Sequence, residues 1–255
     1  MDQELKKAGF EPIETDIQPR LILALDGKEK SGKTHFSLTA PDPIAYFAID
    51  MGHEGVVRKF VDGEVASKII LRADKQIKVP DISVYDKKTD SLKIDATAAW
   101  EKMRSAYKAA CESPTIKTVI VDTATEMWEL LRLARLGKVA QVKPQHYGPV
   151  NAEMRGVVRD AYDSNKNVIL IHKLKKEYKS DSWSGKYERA GFSDMGYMVQ
   201  VNATMTYDGD DFVCTVTDCR QNTSVRGMEF EGDPMCSFPF LGASVFPGTS
   251  LDQWE

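Results

Sequence analysis

Residues 27–34 read Gly-Lys-Glu-Lys-Ser-Gly-Lys-Thr, a complete match to the phosphate-binding pattern G-x-x-x-x-G-K-[ST]. The apolar run at 21–25 is typical of a buried strand, and residues 34–40 are compatible with a helix that stops at Pro41. A strand, a glycine-bounded loop and a helix in this order let backbone N–H groups converge on one anion. A surface turn of the same composition is the alternative, but this context favours a nucleotide site.

The motif assigns roles to individual side chains. Lys33 is expected to reach the β- and γ-phosphates of a nucleotide, and the Thr34 hydroxyl is expected to hold Mg²⁺. The residues that we expect to contact the nucleotide are Gly27, Lys28, Glu29, Lys30, Ser31, Gly32, Lys33, Thr34 and His35.

Composition narrows the class of protein. The chain has 255 residues, a net charge of −4 and a pI near 5.7, so nucleic acid could bind only at a local basic patch. Its four cysteines form no C-x-x-C pair and its four histidines form no ligand-spaced cluster, which argues against a zinc site or a disulfide framework. The N-terminus lacks a signal-peptide stretch and no run is long enough to span a bilayer. We therefore expect a cytoplasmic protein without a membrane partner.

Short apolar segments alternate with helix-compatible segments along the chain. This alternation predicts an α/β fold with a mostly parallel central sheet covered by helices on both faces. The predicted strands after the motif lie at 44–49, 118–121, 168–171, 203–207 and 212–217. The predicted helices lie near 96–111, 124–137, 150–164 and 193–198.

The domain organisation is predicted to be simple. We expect one core at 21–222, preceded by an extension at 1–20. The remaining residues, 223–255, are expected to pack on the core as a tail without regular structure. The stretch at 61–97 mixes short β-like pieces with polar residues and is left unassigned.

Acidic and polar residues end three of the predicted strands. Asp122 ends an apolar strand and is expected to order Mg²⁺ through a water molecule, although it could instead cap the next helix. Asp50 and Glu54 follow the second strand and could orient the attacking water, and we slightly favour Glu54 for its longer reach. His172 ends the fourth strand, where it could contact the γ-phosphate or simply form a hydrogen bond at the sheet edge.

The segment 173–189 carries six basic and three acidic residues, a charge of +3 in a chain that is otherwise −7. Aromatic residues alternate with these charges, a mixture that suits single-stranded nucleic acid because cations neutralise phosphates and rings stack on bases. A solvated lid, or a β-hairpin with a turn at 184–185, is the alternative. The expected DNA-binding residues are Lys173, Lys175, Lys176, Tyr178, Lys179, Trp183, Lys186, Tyr187 and Arg189. The loop 137–149 could add Lys138, Lys143, His146 and Tyr147.

The order of these features resembles the RecA-like recombinase ATPase core, and in particular the compact RecA-like ATPases of bacteriophages linked to recombination and single-strand annealing. The pieces that carry the resemblance are the loop at 27–34, the strand ending in Asp50, the strand ending in Asp122, and the strand 168–172 with its basic loop. Residues 191–207 are similar to the helix and strand that follow the second DNA-binding loop of that family.

The resemblance implies that the nucleotide is ATP and that subunits assemble into rings or filaments with ATP between them. It also implies that a residue beyond the DNA loop reaches a neighbour's γ-phosphate. Arg220 is the best candidate for this arginine finger, the alternative being an ordinary surface arginine.

The implied function is an ATP-dependent, single-stranded-DNA-binding ATPase in phage recombination, replication or repair, working with phage or host proteins of those processes. A helicase loader, or another binding module switched by ATP, is the first alternative. A small-molecule kinase is the second, although such kinases usually carry an arginine-rich lid and residues 173–190 are rich in lysine and aromatics instead.

Overall fold

The computed structural model describes residues 3–11, 19–50, 53–65, 67–73, 85–86, 91–92, 95–137 and 144–255. The strands within these ranges are β1 (Ile22–Gly27), β2 (Ile44–Ala48), β3 (Ile70–Arg72), β4 (Tyr85–Asp86), β5 (Ser91–Leu92), β6 (Thr118–Asp122), β7 (Asn167–Ile171), β8 (Leu174–Lys179), β9 (Ser182–Arg189), β10 (Val201–Tyr207), β11 (Phe212–Cys219) and β12 (Glu229–Glu231). The α-helices are α1 (Gln3–Lys7), α2 (Lys33–Leu38), α3 (Glu54–Val61), α4 (Ala96–Glu112), α5 (Ala124–Leu136), α6 (Tyr147–Asp163), α7 (Met195–Met198) and α8 (Phe238–Val245).

Eight of the described strands form one sheet in the order β12-β11-β10-β1-β7-β6-β2-β3. The six strands from β10 to β3 run parallel, and β11 and β12 are antiparallel additions at one edge. Leu25 of β1 lies opposite Ile171 of β7, Ile171 lies opposite Asp122 of β6, and Asp122 lies opposite Ala48 of β2. The carboxyl ends of four central strands therefore meet at one edge, which is where ligands bind in parallel sheets.

Helices cover both faces of this sheet. Ile22 and Ala24 of β1 pack with α4, α5 and α6, whereas Leu23 and Leu25 pack with α2, α3 and α8. Successive side chains of a strand point to opposite faces, so a strand covered on both sides must be apolar throughout. This accounts for the continuous apolar run at the start of the core and confirms the predicted fold class.

The C-terminal tail differs from its prediction because it has regular structure. It adds β12 to the sheet edge and forms α8, which begins with a proline in its first turn, followed by the 3₁₀ helix Leu251–Trp254. Phe238 and Trp254 are fully buried against the sheet. A Cβ atom on Gly242 would lie 2.4 Å from the Trp254 ring, so this glycine permits the close packing of the tail.

Two predicted loops are also more regular than expected. The loop 137–149 is shorter than predicted, because α6 begins at Tyr147 and is preceded by the 3₁₀ helix Pro144–His146. Residues 138–143 of that loop, with Lys138 and Lys143, lie outside the described residues. The segment 173–190 is largely a β-hairpin formed by β8 and β9.

No helix in the described ranges is both long enough and apolar enough to cross a membrane.

Candidate functional site

The phosphate-loop motif connects β1 to α2, as its sequence context predicts. Gly27 is the last residue of β1, and a Cβ atom there would lie 2.4 Å from the carbonyl oxygen of Met205 on β10. Gly32 caps the N-terminus of α2 with a φ of 85°, in the left-handed region that favours glycine. Both glycines of the motif are therefore required by the geometry of the chain, which brings the loop close to the sheet and aims the helix N-terminus at its ligand.

Lys33 lies over the loop. Its ammonium group donates hydrogen bonds to the carbonyl oxygens of Gly27, at 2.9 Å, and of Lys28. Burial lowers the pKa of Lys33, and the nearby carboxylates, first among them Asp122, oppose that shift. Because phosphate oxygens are stronger acceptors for an ammonium group than carbonyls are, Lys33 can transfer these hydrogen bonds to a bound triphosphate.

The two predicted metal ligands lie side by side. Thr34 Oγ1 donates a hydrogen bond to Asp122 Oδ2 at 2.8 Å, and the buried Tyr46 hydroxyl donates to the same oxygen at 2.7 Å. Burial raises the pKa of Asp122, while these two hydrogen bonds act to lower it. The strand β6 places the carboxylate, and the first turn of α2 places the hydroxyl.

This pair of oxygens fits Mg²⁺, which prefers hydroxyl, carboxylate and water oxygens. Thr34 would bind the ion directly and Asp122 would hold one of its water molecules. Such an ion would neutralise charge on the phosphates of a bound nucleotide. Among the residues that the structure describes, no cluster of three or more His, Cys, Asp or Glu side chains suggests a further metal site.

The two candidate carboxylates for positioning water lie in different places. Asp50 follows β2 at the edge of the sheet, where its backbone N–H donates to the Asp122 carbonyl at 2.9 Å and its side chain lies 3.3 Å from Lys173 Nζ. Glu54 is the first residue of α3 and its side chain is exposed. Asp50 therefore lies closer to the expected reaction centre.

Glu126 is a residue of this region that the sequence analysis missed. It forms an ion pair with Lys173, and its Oε2 atom is buried without a hydrogen-bond partner among the described residues. Burial raises the pKa of Glu126, and Lys173 opposes that shift. The only signal in the sequence is the spacing Thr123-x-x-Glu126, which is typical of a helix cap. Lys173 thus lies between two carboxylates, Asp50 and Glu126.

A cavity of about 890 Å³ lies over the loop. It brings together the loop residues 27–35 with Asp50, Asp122, Lys173 and Tyr187. The lining residues that the sequence patterns did not indicate are Val56, Lys59, Thr123, Leu174 and Phe212. The residues predicted to act on the nucleotide that do not line the cavity are Glu54, His172 and Arg220.

A family model described as an AAA domain matches residues 20–225 of the chain. The chain belongs to this AAA domain family. Among solved structures it is similar to the RadB recombinase, with 14% sequence identity, coverage of 84% of this chain and 87% of that chain, and a TM-score of 0.48. A comparison with curated proteins found no match.

Family membership, together with the P-loop and the parallel sheet, identifies the protein as a P-loop ATPase of the AAA type. The predicted α/β fold with its mostly parallel sheet and the predicted P-loop ATPase are therefore confirmed. A special closeness to bacteriophage proteins stays a prediction.

His172 of the AAA domain is fully buried just beyond β7. Its Nδ1 atom lies 3.2 Å from the Ala190 carbonyl oxygen, and its Nε2 atom is buried without a partner among the described residues. Burial lowers the pKa of His172 to about 3, so the ring is neutral. The histidine lies between the two ends of the β8–β9 hairpin, and its contact with a γ-phosphate stays a prediction.

The β8–β9 hairpin of the AAA domain corresponds to the segment expected to bind DNA. Its turn is formed by Ser180 and Asp181, both with positive φ, and not by the predicted pair 184–185. Positive φ at both central residues matches the twist of a two-residue hairpin loop, but Ser-Asp lacks the glycine that usually marks such turns. The sequence alternative of a hairpin was thus closer to the structure than a loop.

One face of the hairpin is aromatic. Tyr178 and Trp183 are paired across the strands, and the Trp183 and Tyr187 rings lie 6.3 Å apart. Lys176 Nζ lies 5.2 Å from the centroid of Trp183. The three rings are 62%, 50% and 43% exposed, so their surfaces are accessible to a ligand.

The base of the hairpin is fixed to the core by ion pairs. Arg189 donates to Asp26 Oδ2 through Nε at 3.0 Å and Nη2 at 2.8 Å, and Thr204 donates to Asp26 Oδ1 at 2.7 Å. Lys173 is held by Asp50 and Glu126. The structure therefore gives Arg189 and Lys173 partners within the core, and their contact with DNA stays a prediction.

The outer basic residues of the hairpin differ in their surroundings. Lys175 lies 3.2 Å from Glu188, and Lys179 lies 3.3 Å from Glu177. Lys186 follows Gly185 on β9 and is exposed. Lys175 and Lys179 therefore each have a carboxylate partner within the hairpin.

The hairpin contacts the phosphate loop. The ammonium group of Lys28 lies 4.8 Å from the centroid of the Tyr187 ring, within the range of a cation–π interaction. Both residues line the cavity. The aromatic face and the nucleotide site are therefore physically connected.

Arg220 directly follows β11, at the opposite end of the sheet from the loop. Its backbone N–H donates to the Gln200 carbonyl at 2.9 Å, next to the first residue of β10, which runs parallel to β1. Its guanidinium donates to the Tyr197 carbonyl and lies 5.8 Å from that ring's centroid. Arg220 cannot reach the cavity of its own subunit, so the predicted role as an arginine finger requires a neighbouring subunit.

The two remaining candidates from the 137–149 loop lie at the start of α6. Tyr147 stacks on Trp128 with ring centroids 6.5 Å apart, and His146 is exposed in the 3₁₀ helix. Tyr147 is therefore partly committed to packing within the domain.

Proposed function

We propose that this AAA domain is an ATP-dependent, single-stranded-DNA-binding ATPase that acts in recombination, replication or repair of a phage genome. The observation that carries the proposal is the β8–β9 hairpin, which presents exposed aromatic rings among lysines and contacts the phosphate loop through Tyr187 and Lys28. Stacking on aromatic rings is available to any unpaired base, whereas the bases of a duplex are covered by their neighbours.

The charge distribution supports the same ligand. Residues 173–189 carry a charge of +3 in a chain of net −4, so the hairpin is a basic element on an acidic protein. A local patch of this kind attracts a phosphate backbone while the remainder of the surface repels it. The contact is thereby confined to the face that carries Tyr178, Trp183 and Lys176.

Two contacts couple DNA to the nucleotide. Tyr187 reaches Lys28 in the phosphate loop, and Lys173, one residue before β8, forms an ion pair with Asp50 at the cavity. A nucleotide whose phosphates attract Lys28 or Lys173 would weaken the contact of Lys28 with Tyr187 or the ion pair of Lys173 with Asp50, and these contacts hold the hairpin against the site. By linkage, DNA that holds the hairpin must affect the nucleotide site by the same free energy.

The reaction that fits these residues is in-line attack of water on the γ-phosphate. Lys33 neutralises charge on the transferred group, and Asp50 or Glu54 positions the water. Arg220 from an adjacent subunit supplies a further positive charge in a ring or filament. The site as a whole stabilises charge and does not form a covalent intermediate.

The proposal predicts that single-stranded DNA raises the ATPase rate of the purified protein. We expect a stimulation of about tenfold, of the order produced by typical allosteric coupling free energies. The measurement is steady-state ATP turnover with single-stranded DNA, with duplex DNA and without DNA. Equal rates in the three reactions would contradict the proposed action of DNA and would favour a helicase loader or another module that is switched by ATP. Transfer of phosphate to a metabolite would instead indicate a kinase.

The choice between Asp50 and Glu54 gives a second prediction. We expect Asp50→Asn to lower kcat by about 10²-fold or more, because a positioned acid–base group typically contributes 10²- to 10⁴-fold. Glu54→Gln should change kcat by less than about threefold, since its side chain is exposed on α3. The measurement is kcat at saturating ATP, with thermal melts to confirm folding.

The control for Asp50 is Lys173→Ala, which breaks the same ion pair and leaves the carboxylate in place. A loss in Asp50→Asn that Lys173→Ala reproduces in full would show that the ion pair matters and not the positioning of water. A larger loss of kcat in Glu54→Gln than in Asp50→Asn would show that Glu54 positions the attacking water.

A further inference from the structure

One wall of the nucleotide cavity is formed in part by Phe212, whose ring contacts an exposed tyrosine beside the cavity, and the reaction uses neither ring. Phe212, the first residue of β11, lines the cavity, and the Tyr207 ring at the end of β10 lies 4.9 Å from it. These two residues are paired across the strands, and they are 53% (Tyr207) and 41% (Phe212) exposed. Large aromatic side chains that remain exposed beside a cavity often indicate a surface that binds a ligand.

The pair lies directly beside the phosphate loop. A Cβ atom on Gly32 would lie 2.7 Å from the Phe212 ring, so the ring packs against the residue that caps α2. Strand β10 runs parallel to β1, and Met205 of β10 lies opposite Gly27, the first residue of the loop motif. Tyr207 follows Met205 by two residues and therefore lies just beyond the point where the loop begins. A nucleotide held by the loop thus has these rings within the span of its sugar and base.

Charge orients the ligand. The phosphate side of the cavity is lined by cations, namely Lys28, Lys30, Lys33, Lys59 and Lys173. The turn between Tyr207 and Phe212 is acidic, and Asp208 accepts hydrogen bonds there from the backbone of Asp210 and Asp211. A triphosphate is drawn to the lysines and repelled by the turn, whereas an uncharged base is not.

The remaining aromatic residue of the lining is already engaged. Tyr187 has the Lys28 ammonium 4.8 Å from its ring centroid and the Trp183 ring 6.3 Å away. The Tyr187 ring therefore already contacts both the phosphate loop and the hairpin. The Tyr207–Phe212 pair includes the more exposed ring, since Tyr207 is 53% exposed and Tyr187 is 43% exposed.

We propose that Tyr207 and Phe212 form the subsite for the nucleotide base. This inference rests on nucleotide binding at the phosphate loop and adds the position of the base and the manner of its recognition. Recognition by stacking depends on the π-face that all bases share, so the subsite binds adenine and guanine alike and distinguishes a nucleotide from a bare polyphosphate.

The test compares ATP with inorganic tripolyphosphate, each with Mg²⁺, by calorimetric titration of the full chain. In the double variant Tyr207→Leu/Phe212→Leu, leucine still covers Gly32 but offers no ring. We expect its Kd for ATP to rise by roughly tenfold or more, since loss of one stacked base typically costs a factor of about 5 to 150. The Kd for tripolyphosphate should change by less than about twofold. The Kd for GTP should rise by the same factor as the Kd for ATP.

The matched control is Tyr197→Leu, which removes an exposed ring on α7 that does not line the cavity. An unchanged Kd for ATP in the double variant would overturn the proposal. Equal weakening of ATP and tripolyphosphate would also overturn it, because it would show that the rings act only by packing on the loop. Failure of both ligands to bind the unaltered protein would instead refute the nucleotide site itself, a distinct result.

Discussion

Replacing Lys33 with alanine is expected to lower kcat/KM for ATP hydrolysis by about 10²- to 10³-fold, the loss typical of removing one preorganised group that stabilises transition-state charge. The ammonium group of Lys33 lies over the phosphate loop, held by the carbonyl oxygens of Gly27 and Lys28. It is positioned before the nucleotide arrives, so little reorganisation is needed as charge develops on the γ-phosphate. No other lysine of the cavity lining belongs to the first turn of α2.

The same variant should remain folded. Among the residues that the structure describes, the Lys33 ammonium group donates to the carbonyl oxygens of Gly27 and Lys28 and to Ser31, all within the phosphate-loop motif itself. We therefore expect the melting temperature without nucleotide to change by only a few degrees. The stabilisation that ATP confers on the unaltered protein should be largely lost, because a ligand stabilises in proportion to its affinity for the folded state.

The control is Lys108→Ala, which removes an exposed lysine 3.6 Å from Glu112 on α4, far from the cavity. Pairs of this kind contribute little to stability. If Lys33→Ala retained more than about a third of the turnover of the unaltered protein, the phosphate loop would not be the catalytic site.

The sequence allowed prediction of those features that depend mainly on residues close together along the chain. The motif at 27–34 requires its strand, its turn and its helix within about fifteen residues, and all three are present. Asp122 could be placed beside Thr34 because parallel strands of a P-loop sheet end at one edge. The apolar strands identified the sheet because a core covered on both faces leaves no polar position.

The parts that the sequence did not predict depend on contacts distant along the chain. Glu126 resembles a helix-cap residue until the fold brings Lys173 to it. Phe212 resembles an ordinary strand residue until β10 and β11 place it against Gly32. Arg189 resembles a DNA-binding residue because nothing nearby reveals its partner Asp26, 163 residues away. Burial and pairing at such distances leave no local pattern.

Replacing Tyr178 and Trp183 together with alanine is expected to weaken binding of single-stranded DNA by about 10²-fold. Each aromatic ring that stacks on a base typically contributes 1–3 kcal/mol, and neighbouring rings are not fully additive. These two rings are cross-strand partners on the exposed face of the hairpin, and neither lines the nucleotide cavity. The measurement is fluorescence anisotropy with a labelled oligonucleotide, in the presence of a non-hydrolysable ATP analogue.

Salt dependence separates stacking from charge in this experiment. The variant that lacks the Tyr178 and Trp183 rings should bind single-stranded DNA more weakly by the same factor at every salt concentration, because stacking releases no counterions. A second variant, Lys176→Ala/Lys186→Ala, should lower the slope of log affinity against log salt by about 0.7 for each phosphate contact that is lost. If the aromatic variant bound DNA as tightly as the unaltered protein, the rings would be hairpin packing only. If neither variant changed DNA binding, the hairpin would not be the DNA-binding element, and another face of the domain would have to carry that function.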